Sequence, residues 1–405
     1  MKGLFLLVCG MLVLCSCEKY SLSRVYRSQV LNSMGYGRDS LSGAGEARGN
    51  DTVIYVSAVT VPDNYDWRRD SSYGSVAGEL LLLKNGIPQF STVAGAGSLI
   101  DISPDTHHLM SGHIYTEYTS SDGTVICRDG KPLLRYPQRE RLKGFLIKSA
   151  DIYTLGRSLD GEGFCYRRNG EVLLRQDSGS IFGDFTNTAY GRNGALYMDA
   201  GSVCFCFKNS SACYSVRDGV MKEEKTSAGV SRIIEMRILN STVYYVADYL
   251  GTMIVFAPGF NRTLQCNTPV RAASLFLREG EPWIIADADN ATICRRVQDA
   301  GSASAGVRFA GSSNFIFDAG GRLYSAGVES GTLSIKNEDG EYLFVQDSTY
   351  FFGPGSINCI GEQIYALINP RERDRLPALW HGGTGNEYRI NGYLTALEVG
   401  ISPPS

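Results

Sequence analysis

The feature that most constrains this chain is a repeat: from Val53 onward, similar short units follow one another at intervals of about forty residues. Its clearest mark is an aliphatic residue followed by an aromatic one: Ile54-Tyr55, Ile114-Tyr115, Ile152-Tyr153, Leu196-Tyr197, Val243-Tyr244, Leu323-Tyr324 and Ile364-Tyr365. Pro282-Trp283-Ile284 fills the gap between the fifth and sixth of these. From Tyr55 to Tyr365 the steps are 60, 38, 44, 47, 39, 41 and 41 residues. In several units a second mark follows, a basic residue, then Asn or Asp, then Gly: Lys84-Asn85-Gly86, Arg128-Asp129-Gly130, Arg168-Asn169-Gly170 and Arg217-Asp218-Gly219. Asn-Gly and Asp-Gly favour two-residue hairpin turns, because both central residues there need φ > 0. Asp339-Gly340 and Gly382-Gly383 are looser copies.

Each unit reads as four short strands, A to D. In the second unit A covers 98–102, B 113–118, C 124–128 and D 132–136. Four strands every ~40–45 residues predict an all-β fold of the β-propeller type. The abundance of Gly (46) and Tyr (23), with no long Leu/Ala/Glu/Lys stretch, points the same way. The count predicts eight four-stranded blades; seven is the alternative if one unit is a decorated insertion. Independent hairpins or one large sandwich are the competing architectures. The first unit lacks a strand A, and the chain closes with an unpartnered strand-like run, Tyr393 to Val399. That run is expected to supply the missing strand, closing the ring from both termini and removing two exposed edges.

Ahead of the repeat, residues 18–50 are poor in apolar side chains and read as a flexible tether to a domain spanning 51–405. Residues 1–17 read as a signal peptide: Lys2, then an apolar run from Leu4 to Leu14, too short for the ~20 residues that span a bilayer. The run ends in Leu14-Cys15-Ser16-Cys17, which resembles the bacterial lipobox and implies a lipid on Cys17. Lipidation at Cys15 would put bulky Leu14 where the pattern has a small residue, and a plain cleaved signal is the other reading. Signal and turn pattern together resemble the propeller lipoproteins of Bacteroidetes. The resemblance implies a place at the cell envelope, anchored to the membrane through lipid. The Gly-Gly of kelch repeats and the Trp-Asp of WD repeats are not a regular feature of the units.

With a net charge of −3 the chain has no basic excess to suggest nucleic acid. Eight cysteines follow Cys17, most of them in strand-like runs that suit small buried hydrophobes. A two-residue turn at Asn209-Ser210 would set Cys206 opposite Cys213, within disulfide range. Two reduced core thiols are the alternative. No catalytic constellation is legible. Ser120-Ser121-Asp122 and Ser158-Leu159-Asp160 start like sialidase Asp boxes, but neither has Gly at the required offset. His107, His108 and His113 cluster at the predicted A–B turn of the second unit, without a ligand motif around them, and Asp287-x-Asp289-Asn290 lacks the rest of a calcium loop. No metal or cofactor is implied.

Two B–C connections are long: 61–78 in the first unit, with Tyr65, Trp67, Arg68 and Arg69, and 369–378 in the last, with Arg371, Arg373 and Arg375. If the ring closes as expected, these loops emerge side by side as an aromatic and arginine-rich patch. Arg371 to Arg375 pairing with Glu372 and Asp374 is the structural alternative. Two functions follow. One is a non-catalytic binding or scaffold propeller for a protein or glycan. The other is a carbohydrate-active enzyme using two carboxylates ~5–9.5 Å apart in the channel, for which the predicted A strands offer Asp101, Glu235 and Asp318.

Overall fold

The computed structural model describes residues 52–60, 79–93, 107–110, 113–120 and, with short interruptions of which 184–194 is the longest, 122–401. Among these residues the regular structure is strand throughout, apart from one 3-10 turn at Val297–Asp299. The strands form eight antiparallel sheets, numbered here along the ring, and the fold is an all-β propeller. Sheet 1 is made from both ends of the repeat region. Its strand B, Thr52–Thr60, pairs with Gly392–Ile401, from Thr52 opposite Ile401 to Thr60 opposite Gly392. The terminal strand is therefore the strand A that the first unit lacks.

The two sequence marks turn out to be cross-strand partners. The aromatic residue early in strand B stands opposite the basic residue that ends strand C: Tyr55 with Lys84, Tyr115 with Arg128, Tyr153 with Arg168, Trp283 with Arg296 and Tyr365 with His381. Lys84, Arg168 and Arg296 lie 5.7, 5.9 and 5.9 Å from the ring centroids, and His381 stacks on Tyr365 at 3.9 Å. The Lys and Arg pairs contribute about 0.5–1 kcal/mol each at exposed sites. The Asn or Asp of the turn then closes on the aliphatic residue. The Asn85 amide donates to the Ile54 carbonyl and the Ile54 amide to Asn85 Oδ1, both at 2.8 Å. Asn169 does the same with Ile152. Asn85, Asp129, Asn169 and Asp218 all have φ near +50°, each followed by a glycine of positive φ. This is the left-handed pair that such a turn demands.

That register corrects three sequence expectations. In sheet 4 the turn residue Asp218 closes on Val203, so Val203-Cys204 holds the repeat position. Leu196-Tyr197 instead runs into strand A, whose second segment is Tyr197–Asp199. In sheet 2 the strand paired with B is His107–Met110; it places His107 and His108 in strand A, while 98–102 and the A–B turn lie outside the described residues. The third correction is the Cys206–Cys213 bridge. The hairpin closes with four residues, because the Asn209 side chain accepts the Ala212 amide at 2.9 Å and its own amide donates to Ala212. Lys208 then faces Cys213, Cys206 faces Ser215, and both thiols are free and buried.

The core lies between the sheets. Consecutive sheets from 2 to 8 share apolar clusters, and a further cluster joins sheet 8 to sheet 1. A strands of neighbouring sheets approach one another, as 392–401 does both 107–110 and 357–360. D strands such as Val220–Glu224 and Thr384–Glu387 are largely exposed. Strand A is therefore innermost and strand D outermost. All A–B and C–D connections lie on one side of the ring, the turn face; B–C and D–A connections lie on the other, the loop face.

Candidate functional site

The long B–C connections of sheets 1 and 8 leave the same loop face, and a buried amide ties their roots together. Asn369, near the end of strand Gln363–Pro370, donates through Nδ2 to the Leu394 carbonyl at 2.8 Å and accepts the Leu394 amide on Oδ1 at 2.7 Å. Leu394 itself pairs with Ala58, two residues before strand Thr52–Thr60 gives way to the loop. Residues 61–78 lie outside the described residues, and with them Tyr65, Trp67, Arg68 and Arg69; Arg373 does too. Arg371 and Arg375 are placed. Arg371 donates its amide to Thr349 O at 2.7 Å and Nε to Ser348 O at 3.1 Å, and its guanidinium lies 5.3 Å from the Phe351 ring. Arg375 lies 5.4 Å from the Tyr350 ring, donates to Asp347 at 3.3 Å and approaches Glu372 at 3.5 Å.

Both arginines are thus layered over the connection that leads from sheet 7 into sheet 8. Sequence reasoning foresaw the Glu372 partner but missed Asp347, Tyr350 and Phe351. The signal was Asp347-Ser348-Thr349, an Asx turn in which Asp347 Oδ1 accepts the Thr349 amide at 3.0 Å and its hydroxyl as well. The Thr349 hydroxyl first, then its amide and Arg375, hold the Asp347 carboxyl below its ordinary range. The result is an ordered aromatic–arginine layer on the loop face, with Arg371 exposed. Ordering before contact lowers the entropy cost of binding.

The inner strands carry the acids considered for catalysis. Asp101 lies outside the described residues. Asp318 ends strand Phe315–Ala319 on the turn face, where it accepts Arg278 Nε at 3.0 Å and the Gly321 amide at 3.0 Å. Those contacts hold a turn. Glu235 is different. It sits mid-strand in Val230–Leu239, just after a β-bulge, and is 1% exposed. One oxygen accepts the Gly183 amide at 3.3 Å; the other has no hydrogen-bond partner among the described residues. Burial pushes its pKa up to about 7, against the pull of Arg237. The Arg237 guanidinium lies 3.9 Å from the Tyr197 ring, whose hydroxyl takes the Ile238 amide at 2.7 Å and meets Cys206 Sγ at 3.8 Å. Burial raises the pKa of that thiol and of the Tyr197 phenol. A carboxyl titrating near neutrality can hold or release a proton under working conditions.

Other polar clusters are structural. His113 Nδ1 meets Asp129 at 2.6 Å, joining the start of strand His113–Ser120 to the C–D turn. Asp287 accepts the Thr292 hydroxyl at 2.8 Å across its B–C turn. No group of three or more metal-binding side chains converges among the described residues.

Compared with known protein families and curated proteins, the chain matches none. Solved structures of similar overall shape include dihydro-heme d1 dehydrogenase NirN in complex with DHE, at 10% identity and a TM-score of 0.49, covering 85% of this chain and 74% of that one. Apo AztD from Citrobacter koseri is similar at 11% identity and 0.47, covering 88% and 100%. A eukaryotic initiation factor follows at 10% and 0.42, covering 86% and 99%. Likeness at this level names no activity or partner for this chain.

Proposed function

We propose that the protein is an envelope lipoprotein, held through Cys17, that works as a non-catalytic binding or scaffold propeller. Its ligand is a protein or a glycan, taken on the loop face where sheets 8 and 1 meet. The observation that carries this reading is the Asn369–Leu394 clamp, which roots the two longest B–C loops side by side. Tyr65, Trp67, Arg68 and Arg69 on one loop and Arg371, Arg373 and Arg375 on the other would form the surface. Trp, Tyr and Arg are the side chains most enriched at binding hot spots. Arg371 and Arg375 already rest on aromatic rings, which favours rigid recognition of a planar or anionic group.

The test is binding of the purified protein to glycan and envelope-protein arrays, beside a variant with Trp67, Arg371 and Arg373 changed to Ala. Binding lost in the variant supports the seam; binding kept in full removes it. Among the described residues the second reading, a carbohydrate-active enzyme, rests on Glu235, since Asp318 is occupied by Arg278. Hydrolysis abolished by Glu235→Gln and untouched by the seam variant would bring that reading forward.

A further inference from the structure

The outer tips of the sheets differ around the ring. On sheets 1 to 4 the C–D hairpin tip exposes large apolar side chains. They are Ile87 (55% exposed), Leu133, the pair Val172 and Leu173, and the pair Val220 (72%) and Met221. Val220 and Met221 are consecutive residues of an unbroken strand and point to opposite sides, so both sides of the sheet 4 tip are bare. Leu173 reaches the next tip, within 3.8 Å of where a side chain on Gly219 would begin, which makes sheets 3 and 4 continuous there. At the same position sheets 5, 6 and 8 expose Asn261 and Arg262, Arg308, and the whole of Thr384–Glu387. Sheet 7 exposes Tyr342, Leu343 and Val345, set apart from sheet 1 by polar sheet 8.

The four apolar tips are also basic. Residues 84–89, 128–133, 168–173 and 217–222 hold six Lys or Arg against three Asp or Glu, in a chain whose net charge is −3. Arg168, Arg217 and Lys222 pair with Asp151, Asp199 and Glu224, which leaves Lys84, Arg128 and Lys131 as the cations of the patch. All four tips are on the turn face. So is Thr52, where the chain emerges from the tether into sheet 1, opposite Ile401. Only 34 residues separate Cys17 from Thr52.

We propose that the turn face of sheets 1 to 4 rests on the phospholipid bilayer that receives the Cys17 lipid, leaving the seam loops on the opposite face pointing away from the membrane. The proposal rests on the lipid-anchored reading above. Exposed aliphatic residues beside Lys and Arg are the combination that settles at a headgroup boundary. Each basic side chain not already held by a carboxylate adds about 1 kcal/mol near an anionic surface. A lipid chain and a protein face acting together hold more firmly than either alone. Sheets 5, 6 and 8 are polar there, and the apolar tip of sheet 7 carries Glu338, Asp339 and Glu341, so the contact favours one rotation of the ring as well as one facing.

The experiment uses the full lipidated chain in vesicles of phosphatidylethanolamine and phosphatidylglycerol, with and without bromine on the acyl chains. Val220→Trp places an emitter on an apolar tip and Arg262→Trp one on the matching polar tip; both sites are exposed, so the fold is kept. The emission added by Val220→Trp is expected to be quenched by brominated lipid, and that added by Arg262→Trp to survive. Equal quenching at both sites, or none at either, overturns the docking face while leaving the anchor standing. Absence of lipid on Cys17, read from the mass of the N-terminal peptide, overturns both.

Discussion

Two of the junctions that bury charge do so in opposite ways. Between sheets 2 and 3, Glu140 and Arg167 are 2% and 3% exposed and form a two-point ion pair, with Arg167 lying 5.0 Å from the Tyr136 ring. Thr119 and Thr124 take up the backbone around Glu140, and Tyr136 donates to Thr154. Even the space is matched: a side chain on Gly156 would begin 2.4 Å from Glu140 Oε2. Between sheets 4 and 5, Glu235 is as deeply buried, but Arg237 is turned onto Tyr197, and one carboxylate oxygen lacks a partner among the described residues. At the open junction burial favours the protonated form of Glu235. The Glu140–Arg167 pair shows one way this fold holds a junction together, and the departure at Glu235 marks one place where proton chemistry is available.

The largest expected effect comes from opening the closed junction. Arg167→Met leaves Glu140 buried and unpaired and should cost about 3–5 kcal/mol in urea unfolding. Adding Glu140→Leu to it should return part of that loss; a single variant no less stable than the parent would mean the pair is unimportant.

Next in size is a pH effect at the open junction. Glu235 has a folded pKa of about 7 and an ordinary unfolded value near 4.5. Between those values the folded chain binds the extra proton, so stability is fullest below pH 4.5 and falls as pH rises through 7. The span is roughly 3 kcal/mol. Glu235→Gln should abolish that part of the decline, so its stability relative to the parent rises from acid to pH 8. Parallel stability curves for the two proteins would show that Glu235 does not titrate as described.

A smaller effect is expected at the ring seam. Asn369→Ala removes both bonds to Leu394 and leaves two buried backbone groups unmet, for about 2 kcal/mol of unfolding free energy. Hydrogen exchange should quicken in Gly392–Ile401 before it does elsewhere, and uniform exchange would speak against a local clamp. Smallest of all, reductant should leave the melting temperature unchanged, because Cys206 and Cys213 are free thiols set apart by the register of their hairpin.

The repeat was legible because its marks are local. Asn-Gly and Asp-Gly turns need only their own φ angles, and the aromatic and basic positions meet within a single sheet. The eight units, the all-β class and the closing strand Gly392–Ile401 could therefore be read from residue order and spacing. Leu196-Tyr197 misled because aliphatic–aromatic pairs also suit strand A, and only the Asp218–Val203 bonds show which strand carries the repeat position. Hairpin length was equally hidden, since the Asn209 side chain chose four residues where two would also have served. The arginine layer over Tyr350 and Phe351, the Asn369 clamp and the burial of Glu235 belong to the tertiary structure alone. Each joins residues from different strands or sheets, and whether a buried charge finds its partner depends on how neighbouring sheets pack.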